Sequence, residues 1–424
     1  MRAAIEWSHR LLDSGEQVLF ARLGVFVGGA DLEAVESVCG DVATLDALAS
    51  LVEKSLLRQH GTETPRFAML EVLREFALEQ LRAMGEDEGV RRRHAQHFRA
   101  FVDEAETPLS GPDQGRWLDR LEADHANLRG AIAYAQDSGD GGTAVELAAG
   151  MRRFWYVHGY AEEGLRVLES VLAAAPDAPP LARNKALNGA AMLASERGDY
   201  AAAGRFLEES LAIAEQLGDP HRMGVAWSNL GNLALYEERW DDARRRYGRA
   251  LELYRGISPR DEAITLENLG LVAAGAGDLE EAVKLLEEAI DLSTQEEAPR
   301  EAASARLDLA WVSLARGEVQ RARELLVSAW AAFAELTDRA NEADCLEGFA
   351  AVEVAEGRFD DAARLLGAAE AVRNSIGSVR QPDQDRWVRQ IVAALGAELG
   401  DRLDAAVNVG RELGADATVA LSFE

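Results

Sequence analysis

The sequence predicts an all-α protein in two parts. An N-terminal module of short helices around one hairpin leads into an array of stacked helical hairpins. Three observations carry this. The composition is dominated by alanine, leucine, glutamate and arginine, with only 10 prolines in 424 residues, which favours helix throughout. A short marker recurs along the chain: "GYAEEG" at Gly159, "GDYAAA" at Gly198, "ERWDDA" at Glu238, "GDLEEA" at Gly277, "GEVQRA" at Gly317 and "GRFDDA" at Gly357. These start points lie 39, 40, 39, 40 and 40 residues apart, and a fixed period of this size marks stacked supersecondary units. Small residues also recur in phase with the marker.

In the N-terminal module, Ile5, Leu12, Leu19, Leu23 and Phe26 follow helical apolar spacing. Gly28-Gly29 is expected to stop that helix. Asp31 is a candidate N-cap for a helix over 32–38, and Thr44 for one over 45–53. "SLLRQHGTETPRFAML" then places two short apolar runs around a Gly/Thr/Pro turn, a hairpin signal. Two longer helices follow, over about 69–84 and 87–106.

In the array, a small residue stands five positions after each marker: Gly164, Ala203, Ala243, Ala282, Ala322, Ala362. Twelve after it come Val171, Ser210, Ala250, Ala289, Ala329 and Ala369. Seven before it come Arg152, Ala191, Gly231, Gly270, Ala310 and Ala350. Small side chains at fixed points let neighbouring helices approach, and the marker breaks the chain between helix A and helix B of each unit. In the fourth unit helix A is expected over about 262–275 and helix B over about 278–293. The domains expected are 1–106 for the N-terminal module, 107–142 for linker helices, 143–375 for about six repeats, and 376–424 for capping helices, within which 384–414 reads as a helix pair.

The formal charge is −29. Residues 1–100 carry 12 Lys+Arg against 16 Asp+Glu, so the other 33 and 58 place −25 in the rest of the chain. Such a field repels nucleic acid unless a basic patch overrides it. Cys39 and Cys345 are the only cysteines, which argues against a disulfide scaffold and for a cytoplasmic location. No run of about 18 apolar residues suggests a membrane span.

The repeats resemble tetratricopeptide repeats of long period, on the small residues of helix A (Gly231, Gly270), the turn and the second small residue (Ala250, Ala289). The first unit departs from the pattern at Arg152 and Val171. The segments "IEWSHRLLDSGEQVLFARLGVFVGGADLEAVESVCG", "LASLVEKSLL", "RFAMLEVLREFALEQL", "RRRHAQHF" and "WLDRLEADHANLRGAIAYA" resemble the winged-helix part of bacterial STAND-type NTPase regulators, including large LuxR- and SARP-like transcriptional regulators. The resemblance implies a winged helix followed by a tetratricopeptide-like superhelix, and a sensor or protein-interaction role. In that family an NTPase core precedes the winged helix. This chain has no G-x-x-x-x-G-K-[ST]; "EKS" at 53–55 lacks the loop that cradles phosphate. It is therefore expected to be the C-terminal part of a larger regulator, or a short member without the motor. Met69, Leu70 and Glu71 stand where relatives carry Met-His-Asp. Leu70 cannot donate to phosphate and is expected to pack.

No catalytic residue, cofactor or metal site is expected. His94 and His97 follow Arg91-Arg92-Arg93, but no third ligand accompanies them. The run reads as a solvated helix face or a set of salt-bridge partners. "GLVAAGAG" at 270–277 follows no strand and lies within a helix A. No G-x-S-x-G elbow occurs. The candidate recognition helix, about 43–53, offers Asp46, Glu53 and a single Lys54, a poor phosphate binder.

The remaining candidate site is the concave face that the resemblance assigns to the A helices. Its expected lining is Asn188 and Met192, Ser228 and Asn232, Glu267 and Leu271, Leu307 and Trp311, with Lys185 one turn earlier. The partner expected there is a protein or peptide, or a small-molecule inducer, with an NTPase core in cis or in trans and neither nucleic acid nor membrane. Two other readings stand beside it: a free-standing scaffold without a regulatory NTPase, and a winged-helix DNA-binding protein.

Overall fold

The computed structural model describes residues 2–61, 65–110, 113–376, 380 and 382–415. The hairpin turn at 62–64 and the end of the expected cap, 416–424, lie outside them. The chain forms two compact units, Met1–Ile213 and Ala214–Glu424.

The first unit opens with α1 (Arg2–Arg10) and α2 (Ser14–Leu23). The apolar spacing through Phe26 thus belongs to two helices, not one. Asp13 divides them: its side chain accepts from the Glu16 amide while Glu16 reaches back to the Asp13 amide, a reciprocal cap. The helix ends at Leu23 and not at Gly28-Gly29. That glycine pair serves the next element. Gly29 has φ +95°, and a Cβ there would meet the Phe67 carbonyl at 2.7 Å. It turns the chain into β1 (Ala30–Asp31), a strand the sequence does not announce. The strand is followed by α3 (Leu32–Cys39) and α4 (Leu45–Glu53), capped by Asp31 and Thr44 as expected. Then come β2 (Arg58–His60) and β3 (Arg66–Ala68). The sheet runs β1-β3-β2, antiparallel, with Asp31 opposite Arg66 and Gln59 opposite Phe67. Helices α2, α3 and α4 with the small sheet make a winged helix. Its core is Leu19, Phe20, Val35, Leu48, Leu51 and Phe67.

Helices α5 (Glu71–Ala83) and α6 (Asp87–Ala105) follow, then α7 (Gln114–Ala123) and α8 (His125–Asp137). The hairpins begin with α9 (Gly141–Val157) and α10 (Ala161–Ala174), then α11 (Pro180–Glu196) and α12 (Tyr200–Leu217), whose last residues belong to the second unit.

In the second unit the hairpins are α13 (Pro220–Tyr236) with α14 (Trp240–Tyr254), α15 (Pro259–Gly275) with α16 (Leu279–Gln295), α17 (Pro299–Ala315) with α18 (Val319–Glu335), and α19 (Arg339–Ala355) with α20 (Phe359–Ile376). The chain ends in α21 (Pro382–Leu399) and α22 (Leu403–Leu413). Proline starts α11, α13, α15 and α17, where the first helical amide has no partner to lose.

The periodic small residues are the helix contacts. Ala203, Ala243, Ala282, Ala322 and Ala362 are fully buried, as are Ala250, Ala289 and Ala329. A Cβ on Gly231 would meet the Tyr247 ring at 2.7 Å. At the markers Gly277, Gly317 and Gly357 the backbone is left-handed, and Glu238 holds the same conformation at φ +55° without glycine's freedom.

Candidate functional site

The candidate lining residues are drawn mostly into the protein's own contacts. In the first unit, Lys185 Nζ donates to Glu106 Oε2 at 2.6 Å, and Arg152 donates to Glu106 Oε1 at 3.1 Å. Burial pushes the Glu106 carboxyl up, but the two cations outweigh it and hold it below the usual range. Arg152, the departure from the small-residue pattern, thus ties the first hairpin to the end of α6. Asn188 Nδ2 donates to the Ser210 hydroxyl and to the Asn184 carbonyl, each at 2.8 Å. The buried Asn184 donates to the same hydroxyl. Ser210 breaks the alanine pattern because it serves as the acceptor for both amides. Met192 is half-buried.

In the second unit, the Tyr247 hydroxyl donates to Asn232 Oδ1 at 2.5 Å, and Ser228 hydrogen-bonds the Tyr254 phenol. Ser304 donates to Glu267 Oε1 at 2.6 Å, and Asp308 also bonds that carboxyl. Burial, with Glu301 nearby, pushes Glu267 above the ordinary carboxylate range. Leu271 is half-buried. Leu307 departs from its expected place: it is buried in the core formed by α17, α18 and α19, because an A helix has apolar neighbours on both flanks and its inner stripe is narrow. Trp311 is half-buried. Its ring stacks on Trp387 of α21, centroids 5.8 Å apart and planes 19° apart. A cleft of about 240 Å³ beside this pair is lined by Leu314, Val354, Gln390 and Ile391 among others. Trp387 was not among the expected lining residues. Its signal in the sequence is the stripe Val388, Ile391, Leu395 and Leu399, an apolar face that a terminal helix has to bury somewhere.

A second constellation lies in the first unit and was also missed. Arg66 on β3 grips Asp124 with both terminal nitrogens, at 2.9 and 2.6 Å, and donates to the Gly29 carbonyl at 3.2 Å. Asn127, fully buried on α8, donates to the Gly29 carbonyl and to Asp124 Oδ1, both at 2.8 Å. Its Oδ1 accepts the Val27 amide at 2.7 Å. This clasp joins the winged-helix sheet to the helices that lead into the repeats. A signal existed in "EADHANLR": polar residues three apart on an otherwise apolar helix are expected to find partners when buried.

Of the two histidines that follow the arginine run, His94 is buried and His97 half-buried. His94 is buried among Phe26 and Phe98, ring centroids 5.3 and 4.7 Å away. Burial pushes its pKa down to about 3, against a smaller opposing effect of Asn127. Arg91 pairs with Asp87 at 3.0 Å and Arg93 donates to the Val38 carbonyl at 2.8 Å, so two of the three arginines are held within the chain. Among the described residues no group of acidic, His and Cys side chains could hold a metal. Leu70 does not pack as expected; it is 44% exposed at the start of α5, where the chain turns out of β3. Asp46 and Glu53 of α4 are exposed, and Lys54 is committed to Glu16 at 2.5 and 2.7 Å. No helix among the described residues is long and apolar enough to cross a membrane.

Comparison with known proteins agrees with this architecture by region. Residues 12–82 match the winged helix-turn-helix domain family, and residues 183–256 and 228–299 match tetratricopeptide repeat families. A candidate HTH-type transcriptional regulator of Mycobacterium tuberculosis is 31% identical over 274 residues, 61% of this chain and 31% of its own length; a Mycobacterium bovis protein matches equally. The chain thus spans about a third of the length of these curated relatives. Among solved structures, the apo form of RapI superposes with a TM-score of 0.54 at 14% identity, over 66% of this chain and 99% of that one. A STAND protein with a tetratricopeptide repeat sensor from Pyrococcus horikoshii covers 95% of this chain and 64% of its own, at 17% identity and a TM-score of 0.48. The chain thus carries a winged helix-turn-helix module followed by tetratricopeptide-type repeats.

Proposed function

We propose that this chain is the sensor and protein-interaction arm of a STAND-type transcriptional regulator. A polypeptide partner or an inducer engages the A-helix face, and the winged helix passes the resulting shift to an NTPase core supplied in cis or in trans. The observation that favours this reading over a passive scaffold is the clasp of Arg66, Asp124 and Asn127. A scaffold has no need to join its winged helix to the repeat side through a buried charged network, whereas a lever does. Exposed Trp7 on α1, Leu11 just after it and Val72 on α5 leave the winged helix apolar surface for a neighbouring domain. Helix α1 is held to α5 by Arg2 and Glu79 at 2.7 Å.

DNA binding by this chain alone is disfavoured, because the recognition helix exposes acids and its one lysine is paired. The test is capture from the host's own lysate by the immobilised chain. The sensor reading predicts saturable capture of a polypeptide carrying a P-loop NTPase core, or of one encoded beside this chain. Capture of several unrelated enzymes with no NTPase module among them would favour the scaffold.

A further inference from the structure

In each hairpin of the second unit the B helix packs broadly on the next A helix: α14 on α15, α16 on α17, α18 on α19. The pattern breaks at the end. Helix α20 packs broadly on α22, and α21, next in sequence, makes much less contact with it, about as much as with α19. Two glycines make the exchange possible. A Cβ on Gly367 would collide with the Val407 carbonyl oxygen, and one on Gly410 with that of Arg364. The backbones of α20 and α22 therefore meet directly, and α22 fills the slot of a capping helix.

Helix α21 is released from stacking and lies across the A helices instead. It packs on α19, stacks Trp387 on Trp311 of α17, and comes against α13. Val388, Ile391, Leu395 and Leu399 form its buried stripe. Its start is tethered by Arg380, which donates to the buried Glu347 of α19 at 2.8 Å. An open cleft of about 240 Å³ lies beside the tryptophan pair, lined also by Leu314, Val354 and Ile391.

We propose that α21 is an intramolecular ligand of the A-helix face, and that the partner of this face is an amphipathic helix of the same pattern, an aromatic residue followed by aliphatic residues one, two and three turns on. The partner displaces α21 and takes the Trp311 platform. This rests on the reading of the A-helix face as the partner surface, and it adds the class of partner and the reason the free chain holds that face closed.

A labelled synthetic peptide of residues 382–399 serves as the probe, with the full-length chain. A face occupied part of the time binds more weakly by the fraction that is open. The peptide is expected to bind the Trp387→Ala chain at least about tenfold more tightly than wild type, and adding Trp311→Ala is expected to abolish binding. Equal binding to wild type and Trp387→Ala, or binding to neither, overturns the proposal. So does unfolding of the array by Trp387→Ala, since α21 would then be ordinary core.

Amide exchange on the unmodified chain needs no variant. The proposal expects α21 to open well below the free energy of α15–α20, and exchange of α21 only through global unfolding contradicts it. Failure of the broader functional reading would look different: α21 opens and the peptide binds, but no cellular polypeptide competes with it.

Discussion

Replacing Asn127 with leucine removes the centre of the clasp while keeping the branched heavy-atom skeleton of the side chain. Its three hydrogen bonds run to Val27 N, the Gly29 carbonyl and Asp124 Oδ1. The Gly29 carbonyl keeps Arg66, and Asp124 keeps both Arg66 contacts. The Val27 amide loses its acceptor, and a buried orphan of this kind costs about 1–3 kcal/mol. With the lost bond to the Asp124 carboxylate, the expected destabilisation is about 2–4 kcal/mol. Urea unfolding of the full-length chain, followed by both circular dichroism and tryptophan fluorescence, reads it. Two probes are needed because a chain with two compact units need not unfold in one step. Arg66→Ala supplies the other corner of a double-mutant cycle. Because Arg66 and Asn127 share Gly29 and Asp124, their effects should couple by about 1 kcal/mol. A loss below about 0.5 kcal/mol, or strict additivity with Arg66→Ala, refutes the claim that these residues act as one joint.

Further outcomes follow from single side chains. His94 is neutral in the fold down to about pH 3, whereas the unfolded chain takes up the proton near pH 6.5. Its contribution is complete above that pH and is lost as pH falls toward 3, so wild type should lose about 2 kcal/mol more stability between pH 7 and pH 5 than His94→Gln; parallel pH profiles would contradict the burial. Glu238 holds a left-handed backbone where other markers carry glycine, so Glu238→Gly should raise the melting free energy by about 1 kcal/mol, while Gly277→Glu should lower it; the opposite order refutes the shared turn geometry. Gel shifts at physiological salt should show no sequence-specific DNA complex, and calorimetry should show no micromolar ATP affinity. A sharp, salt-sensitive shift with one promoter fragment overturns the first expectation, and a saturating ATP heat overturns the second.

Much of the fold is legible in the sequence because packing repeats. A 39–40-residue period with alanine or glycine at fixed phases leaves few ways to stack helices, and the caps at Asp31 and Thr44 follow from side-chain chemistry within three residues. What escapes is non-local. Strand β1 is two residues long, and only its pairing with β3 makes it a strand. Leu307 and Trp311 sit one turn apart on the same helix, yet one is buried core and the other carries α21, a difference set by helices far along the chain. Likewise the amides Asn188 and Asn232, expected on the inner face, look free in sequence, but their partners Ser210 and Tyr247 lie on the following B helices. The clasp joins residues about 100 positions apart, a pairing that no local pattern encodes.

The most direct test of the sensor reading is exchange of the Val27 amide, which donates into the clasp, measured with and without a captured partner on the repeats. The account predicts that partner binding changes the exchange of Val27 and of the β2–β3 hairpin by about tenfold or more in wild type. It also predicts that Arg66→Ala still binds the partner but loses this distant response. Full partner occupancy with unchanged exchange at Val27 in wild type would contradict it and leave the chain a scaffold.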